Sequence, residues 1–210
     1  MLMNILQMKK AHKAICSLIV LTGVTFQSLD DAKSGEIQNS NPLEDPGNKG
    51  QVAHSTHHDF EMYSVDETKI SICSRNITSI DSNIKRLVKL EVLDLSDNDL
   101  ETLPSEIGEL KNLRELYLIN NNFETLPSEI GGLKNLKILV LSGNKLKSLP
   151  PEIENLTNLQ ELYPINNEFE IFPAVIGKLK NLRILFFSGN KLKSLSPEIE
   201  NLKSLQYLYL

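Results

Sequence analysis

The sequence predicts an α/β solenoid in which one short strand and one short helical or extended segment stack over and over. Three observations carry this. From Leu90 onward the pattern repeats every 23 residues. Each repeat opens on an L-x-x-L-x-L run whose last part alternates like a strand. Each then closes on L-x-x-L-P-x-x-I-x-x-L, as in Leu100, Leu103, Pro104, Ile107 and Leu110.

The elements follow in order from the columns. The first leucine recurs as Leu90, Leu113, Leu136, Leu159, Leu182 and Leu205. The second recurs as Leu93, Leu116, Leu139, Leu162, Leu185 and Leu208, and the third as Leu95, Leu118, Leu141, Pro164, Phe187 and Leu210. Alternation in L-x-L points the outer two residues inward and the middle one outward. An asparagine column comes next: Asn98, Asn121, Asn144, Asn167 and Asn190. An amide there turns the chain and offers donors and an acceptor to unpaired backbone. Pro104, Pro127, Pro150 and Pro173 fix φ where the returning segment begins, a place suited to a helical turn. One unit of 23 residues buries too little to stand alone, so neighbours must share their core.

A degenerate copy at 67–89 precedes the array, with Ile70, Ile72, Ile77, Ile80, Ile84 and Leu87 in register and Arg75 in the asparagine column. It reads as an N-terminal cap repeat. Residues 90–210 then hold five full repeats and a truncated sixth. Two departures predict local effects. Pro164 replaces a strand leucine and removes a backbone donor, which predicts a broken strand. Ser196 replaces the returning proline, although Pro197 follows. No polar cap follows the sixth unit, which predicts self-association through an open end, a frayed end or a truncated reading frame. Above the first period sits a second of 46 residues: 136–158 closely match 182–204, and 113–135 match 159–181. Duplication of a two-repeat block is the simplest account.

This pattern resembles the leucine-rich repeat family in its 23-residue form, from about Glu67 to Leu210. It is similar to the bacterial proteins of spirochaetes and to the Ras-scaffold and plant disease-resistance types. The resemblance implies a right-handed horseshoe with a parallel sheet on its concave side. It also implies a binding module that recognises its ligand through that side.

Register gives the strand residues that should face solvent. The middle of L-x-L supplies Asp94, Tyr117, Val140, Tyr163, Phe186 and Tyr209, and the column two places on supplies Ile119 and Ile165. An aromatic and apolar stripe on an exposed sheet face points to a protein ligand. Asp97, Asp99, Lys145, Lys147, Lys191 and Lys193 fall on the turns and read as a solvated rim.

Composition narrows the classes. The 210 residues carry 22 basic and 27 acidic side chains, net −5, which argues against nucleic acid as a partner. The first 89 residues are charge-neutral, so the whole excess lies in the array. Two cysteines exclude a disulfide scaffold and a four-cysteine zinc site. Phosphate loops, G-x-S-x-G, H-E-x-x-H and C-x-x-C are absent, so neither catalysis, a cofactor nor a metal is expected.

The first 66 residues differ in character. Lys9, Lys10 and Lys13 precede the uncharged run Ala14 to Phe26, 13 residues against the ~20 of a spanning helix. Residues 1–28 therefore read as a signal-like segment and predict export to the periplasm, cell surface or exterior, with a cytoplasmic scaffold as the alternative. Residues 29–66 are polar and rich in Asn, Ser, Pro and Gly, and read as a flexible linker. His54, His57 and His58 within it read as solvated loop histidines rather than metal ligands.

Overall fold

The computed structural model describes residues 57–210. The signal-like segment, most of the expected linker and His54 lie outside the described residues. The described residues form nine short strands, most of them followed by a 3-10 turn. The strands are β1 (His57–His58), β2 (Lys69–Ser71), β3 (Ser79–Ile80), β4 (Val92–Asp94), β5 (Glu115–Tyr117), β6 (Ile138–Val140), β7 (Glu161–Tyr163), β8 (Ile184–Phe186) and β9 (Tyr207–Tyr209). Seven form one parallel sheet in the order β2-β4-β5-β6-β7-β8-β9, while β1 pairs with β3. The register is the repeat itself: Leu93 opposes Leu116, which opposes Leu139, which opposes Leu162 and then Leu185.

The returning halves fold as five-residue 3-10 turns such as Ser105–Glu109, Ser128–Gly132 and Ala174–Lys178. Pro104, Pro127 and Pro173 sit at their N-caps with φ near −65°, the value the ring imposes. Stacked leucines, isoleucines and four phenylalanines (Phe123, Phe169, Phe172, Phe187) fill the space between sheet and turns. The turns approach closely at Gly108 and Gly131, where an added Cβ would lie 2.5 Å from the carbonyl oxygens of Glu129 and Glu152.

Two ladders of side chains lock the stack. Asn121 donates from Nδ2 to Leu95 O, 26 residues back, at 3.0 Å, and its Oδ1 accepts from Leu100 N–H at 3.0 Å. Asn98, Asn144, Asn167 and Asn190 repeat this bridge to the preceding unit. Four of the five are buried, and Asn190 is half-buried. A second ladder runs along the other edge. There Asn112, Asn135, Asn158 and Asn181 each donate to a carbonyl 24 residues back at 2.7–2.8 Å.

The sheet is interrupted where proline predicts it. At Leu95, Leu118, Leu141 and Phe187 the backbone N–H donates to the next strand, and Pro164 cannot. The β7–β8 pairing accordingly ends at Leu162–Leu185, one residue short of its neighbours. Pairing resumes when Asn166 N–H donates to Ser188 O at 2.9 Å.

One boundary is corrected. The expected linker reached residue 66, yet 57–66 belong to the folded body. Phe60 is completely buried in the common core, and Asp81 Oδ1 accepts its N–H at 3.1 Å. His57 and His58 are strand residues rather than loop residues, with His57 Nδ1 2.8 Å from Ser79 Oγ and His58 Nε2 3.1 Å from Tyr63 OH. One apolar ring with a matching slot offsets the ordering cost that the polar composition suggested.

Candidate functional site

The concave face is built by the residues between the buried leucines. In a parallel ladder with strands ~4.8 Å apart, side chains of one column touch their neighbours along the solenoid. That contact changes the accessibility expected from alternation alone. Asp94, Ile119, Val140 and Tyr163 stand on the concave side but are only 3%, 4%, 1% and 7% exposed. Val140 lies between Tyr117 and Tyr163, and Tyr163 packs on Phe186; for all four residues the expectation that they face open solvent is corrected. Tyr117, Ile165, Phe186 and Tyr209 remain half-exposed.

The rings form a row. Tyr163 and Phe186 meet edge to face with centroids 5.3 Å apart, and Phe186 and Tyr209 do so at 4.3 Å. Val140 separates this row from Tyr117. Tyr117 OH donates to Glu115 Oε2 at 2.7 Å, and 46 residues on Tyr163 OH donates to Glu161 Oε2 at 2.6 Å. Burial, reinforced by the hydrogen-bonded carboxylate, pushes both phenols well above their usual range. They are therefore fixed donors at any physiological pH.

The column holding these carboxylates runs Lys69, Val92, Glu115, Ile138, Glu161, Ile184 and Tyr207 across the seven strands. Register alone already places Glu115 and Glu161 on the concave face, two places before the middle of L-x-L, where they supply acid to the patch. Their further signal was the 46-residue recurrence of Glu-Leu-Tyr at 115–117 and 161–163.

Asp94 carries a different burden: its Oδ1 accepts Ser96 N–H at 3.0 Å, a backbone-fixing role. Cys73 lies 3.2 Å from Ser71 Oγ, and burial together with the Asp94 charge pushes its thiol up to about 12. A thiol held protonated is a poor nucleophile. Among the described residues no cluster of three or more His, Cys, Asp or Glu could hold a metal ion. The six rim residues Asp97, Asp99, Lys145, Lys147, Lys191 and Lys193 are all exposed. Three of the lysines pair with acids 23 residues earlier: Lys147 with Glu124, Lys191 with Glu168 and Lys193 with Glu170. No helix among the described residues is long and apolar enough to cross a membrane.

A family model described as a leucine-rich repeat region matches residues 68–185, more than half of the chain, and a second leucine-rich repeat model matches 181–202. The chain belongs to the leucine-rich repeat family. Such domains are typically protein-binding modules. No curated protein matches. Among solved structures, a Leptospira interrogans leucine-rich repeat protein is 39% identical with a TM-score of 0.53, over 64% of this chain and 40% of that one. The ectodomain of the Arabidopsis thaliana receptor kinase GASSHO1/SCHENGEN3, solved with CASPARIAN STRIP INTEGRITY FACTOR 2, is 32% identical with a TM-score of 0.58, over 69% and 18%. A Listeria monocytogenes internalin shares the fold at 24% identity and a TM-score of 0.54, over 63% and 38%. This leucine-rich repeat chain thus spans less than half of each of these proteins. The likeness bears out the right-handed horseshoe with its parallel concave sheet.

Proposed function

We propose that this leucine-rich repeat chain binds a protein ligand across its concave face, and that it does so outside the cytoplasm. The observation that carries the reading is the ring row Tyr163–Phe186–Tyr209, edge to face on a sheet surface that no second layer of the described residues covers. Phe186 and Tyr209 of this row are half-exposed, and rigid rings supply contact area at low entropic cost, which is why they anchor interfaces. The accessible part of the patch is Tyr117, Ile165, Phe186 and Tyr209, with Val140 and Tyr163 packed beneath as support. Export is supported by the apolar run behind Lys9, Lys10 and Lys13, and by the ectodomain among the structural neighbours.

Photo-crosslinking tests the binding face. A benzophenone side chain at position 186 should capture ligand, while one at Glu129 on a returning turn should not. Capture from position 129 alone would place binding on the convex side. The N-terminal residue of protein from native cells tests export: a chain starting between about residues 23 and 33 is expected. A chain starting at Met1, Met3 or Met8 would retain the apolar run and favour an intracellular scaffold or a membrane-tethered form.

A further inference from the structure

The carboxylate column defines the ligand more closely, on the assumption that the concave face is the binding face. Glu115 and Glu161 stand on β5 and β7, two strands apart with Ile138 of β6 between them. At ~4.8 Å per strand their spacing is about 9.6 Å. Each spends Oε2 on its own tyrosine, and neither Oε1 has a hydrogen bond or ion pair among the described residues. Arg114 beside Glu115 is committed to Glu91 at 3.3 Å, and the residue before Glu161 is the neutral Gln160. Two half-buried carboxylates therefore lack a cation, on either side of an apolar isoleucine.

A ligand lying across the strands must present cations at that spacing on one side. An extended β-strand advances ~3.3 Å per residue and turns residues three apart to opposite faces. A polyproline II segment advances ~3.1 Å, so residues three apart are about 9.3 Å apart and on the same face. Aromatic-lined grooves are its usual seat. Two strands before Glu115 the column holds Lys69, which repels a further cation at that end, and two strands after Glu161 it holds the Tyr207 ring. The register of the ligand is thereby fixed in one direction.

We propose that the concave face binds a polyproline II peptide segment carrying Lys or Arg at positions i and i+3, seated on Glu115 and Glu161 with an apolar residue over Ile138.

The test uses the full chain and fluorescein-labelled synthetic peptides read by anisotropy. The probe is Gly-Pro-Arg-Pro-Pro-Arg-Pro-Gly, and the control moves the second arginine one place so that the spacing is i, i+2. The i, i+3 peptide should bind about tenfold more tightly, since each well-made charged hydrogen bond is worth that factor. E115Q and E161Q keep an acceptor for the tyrosine hydroxyl, so the fold is retained, and each should weaken the probe about tenfold. Equal binding of the two spacings, or an unchanged affinity in E115Q/E161Q, overturns the proposal. So does equal binding by a linear diamine of the same span, because recognition would then need no peptide. Peptides selected from a random display library separate the two readings. Ligands that depend on Phe186 but not on Glu115 or Glu161 sink this inference and leave the concave reading intact. Ligands that depend on neither sink both.

Discussion

Truncating Asn144 to alanine should cost about 3–5 kcal/mol, far more than its size suggests. Asn144 is 7% exposed, with Nδ2 donating to Leu118 O at 2.8 Å and to Leu141 O at 2.9 Å. Its Oδ1 accepts Phe123 N–H at 3.2 Å. Leu141 O keeps a second donor, Asn167 Nδ2 at 2.9 Å, so it is not orphaned. Leu118 O and Phe123 N–H lose the side-chain partner that bridges them. Two orphaned buried groups at ~1–3 kcal/mol each, plus the small cavity, give the figure. The same change at the half-buried Asn190 should cost only ~1–2 kcal/mol, because water reaches the freed groups. Urea unfolding followed by far-UV circular dichroism measures both, since the chain has no tryptophan. A loss below ~1 kcal/mol for Asn144→Ala, or equal losses at the two sites, would refute the bridging account. Asn144→Asp adds a sign check. Its carboxylate would face two carbonyls, so its folded pKa rises above the unfolded ~3.9 and the damage grows as pH climbs past 4.

Other expectations concern the cap, the turns and the break. Phe60→Ala should cost ~3–5 kcal/mol and free His57–Met62 from the body, seen as rapid amide exchange there; an unchanged melting curve would return 57–66 to linker. Gly143 has φ +71° and Asn120 Oδ1 where its Cβ would stand, so Gly143→Ala should cost ~1–3 kcal/mol. Adding Asn120→Gly should recover part of that, and strict additivity would contradict the interlock. Pro164→Leu should restore one donor to the sheet, aimed at Phe186 O as Leu141 N–H is at Tyr163 O, and the new amide at 164 should be protected from exchange. Global stability should shift by less than ~1 kcal/mol, because the unfolded chain gains freedom. Burial lowers the His58 pKa against the pull of Asp81 and Asp59. The folded state therefore resists a proton that the unfolded chain takes up near pH 6.5. Stability should be full above that pH and fall as it drops further, and His58→Gln should flatten the slope.

The fold was legible because the repeat writes each contact many times. A single leucine column says little, but six copies at one spacing fix both the strand and the register. Pro164 was legible for the same reason, since its neighbours in the column show what it replaces. What occurs once was hidden. Phe60 sits in a stretch whose average composition resembles a linker, and average composition cannot register one ring meeting one slot. The site was legible only in outline. Alternation tells which face a side chain takes, and it placed Val140, Tyr163, Ile119 and Asp94 on the concave side. Accessibility depends instead on the size of neighbours one repeat away, and rings beside rings close over one another. The second asparagine ladder was visible as Asn112, Asn135, Asn158 and Asn181 at the same 23-residue spacing. Its partners, carbonyls 24 residues back, appear only when the units are stacked.

The 46-residue period ties stability to recognition. Asn120 and Asn166 take positive φ and lay their amides where Gly143 and Gly189, also at positive φ, have no side chain. Asn120 also reaches back to Asp97 Oδ1 at 2.8 Å, so its amide binds the preceding turn and fills the space left by the following one. A repeat of the asparagine type therefore fits best beside one of the glycine type, and the stable unit of duplication is the pair. The same pairing alternates Glu with Ile on the concave face, at Glu115, Ile138, Glu161 and Ile184. The carboxylate spacing and the turn alternation thus share one 46-residue period. Converting Gly143 and Asn120 to a uniform pair would leave that spacing in place but remove the interlock between their two turns. Such a variant should lose selectivity between i, i+3 and i, i+2 peptides before it loses its fold. A variant whose melting temperature falls while its selectivity below that temperature is unchanged would show that the two properties are independent.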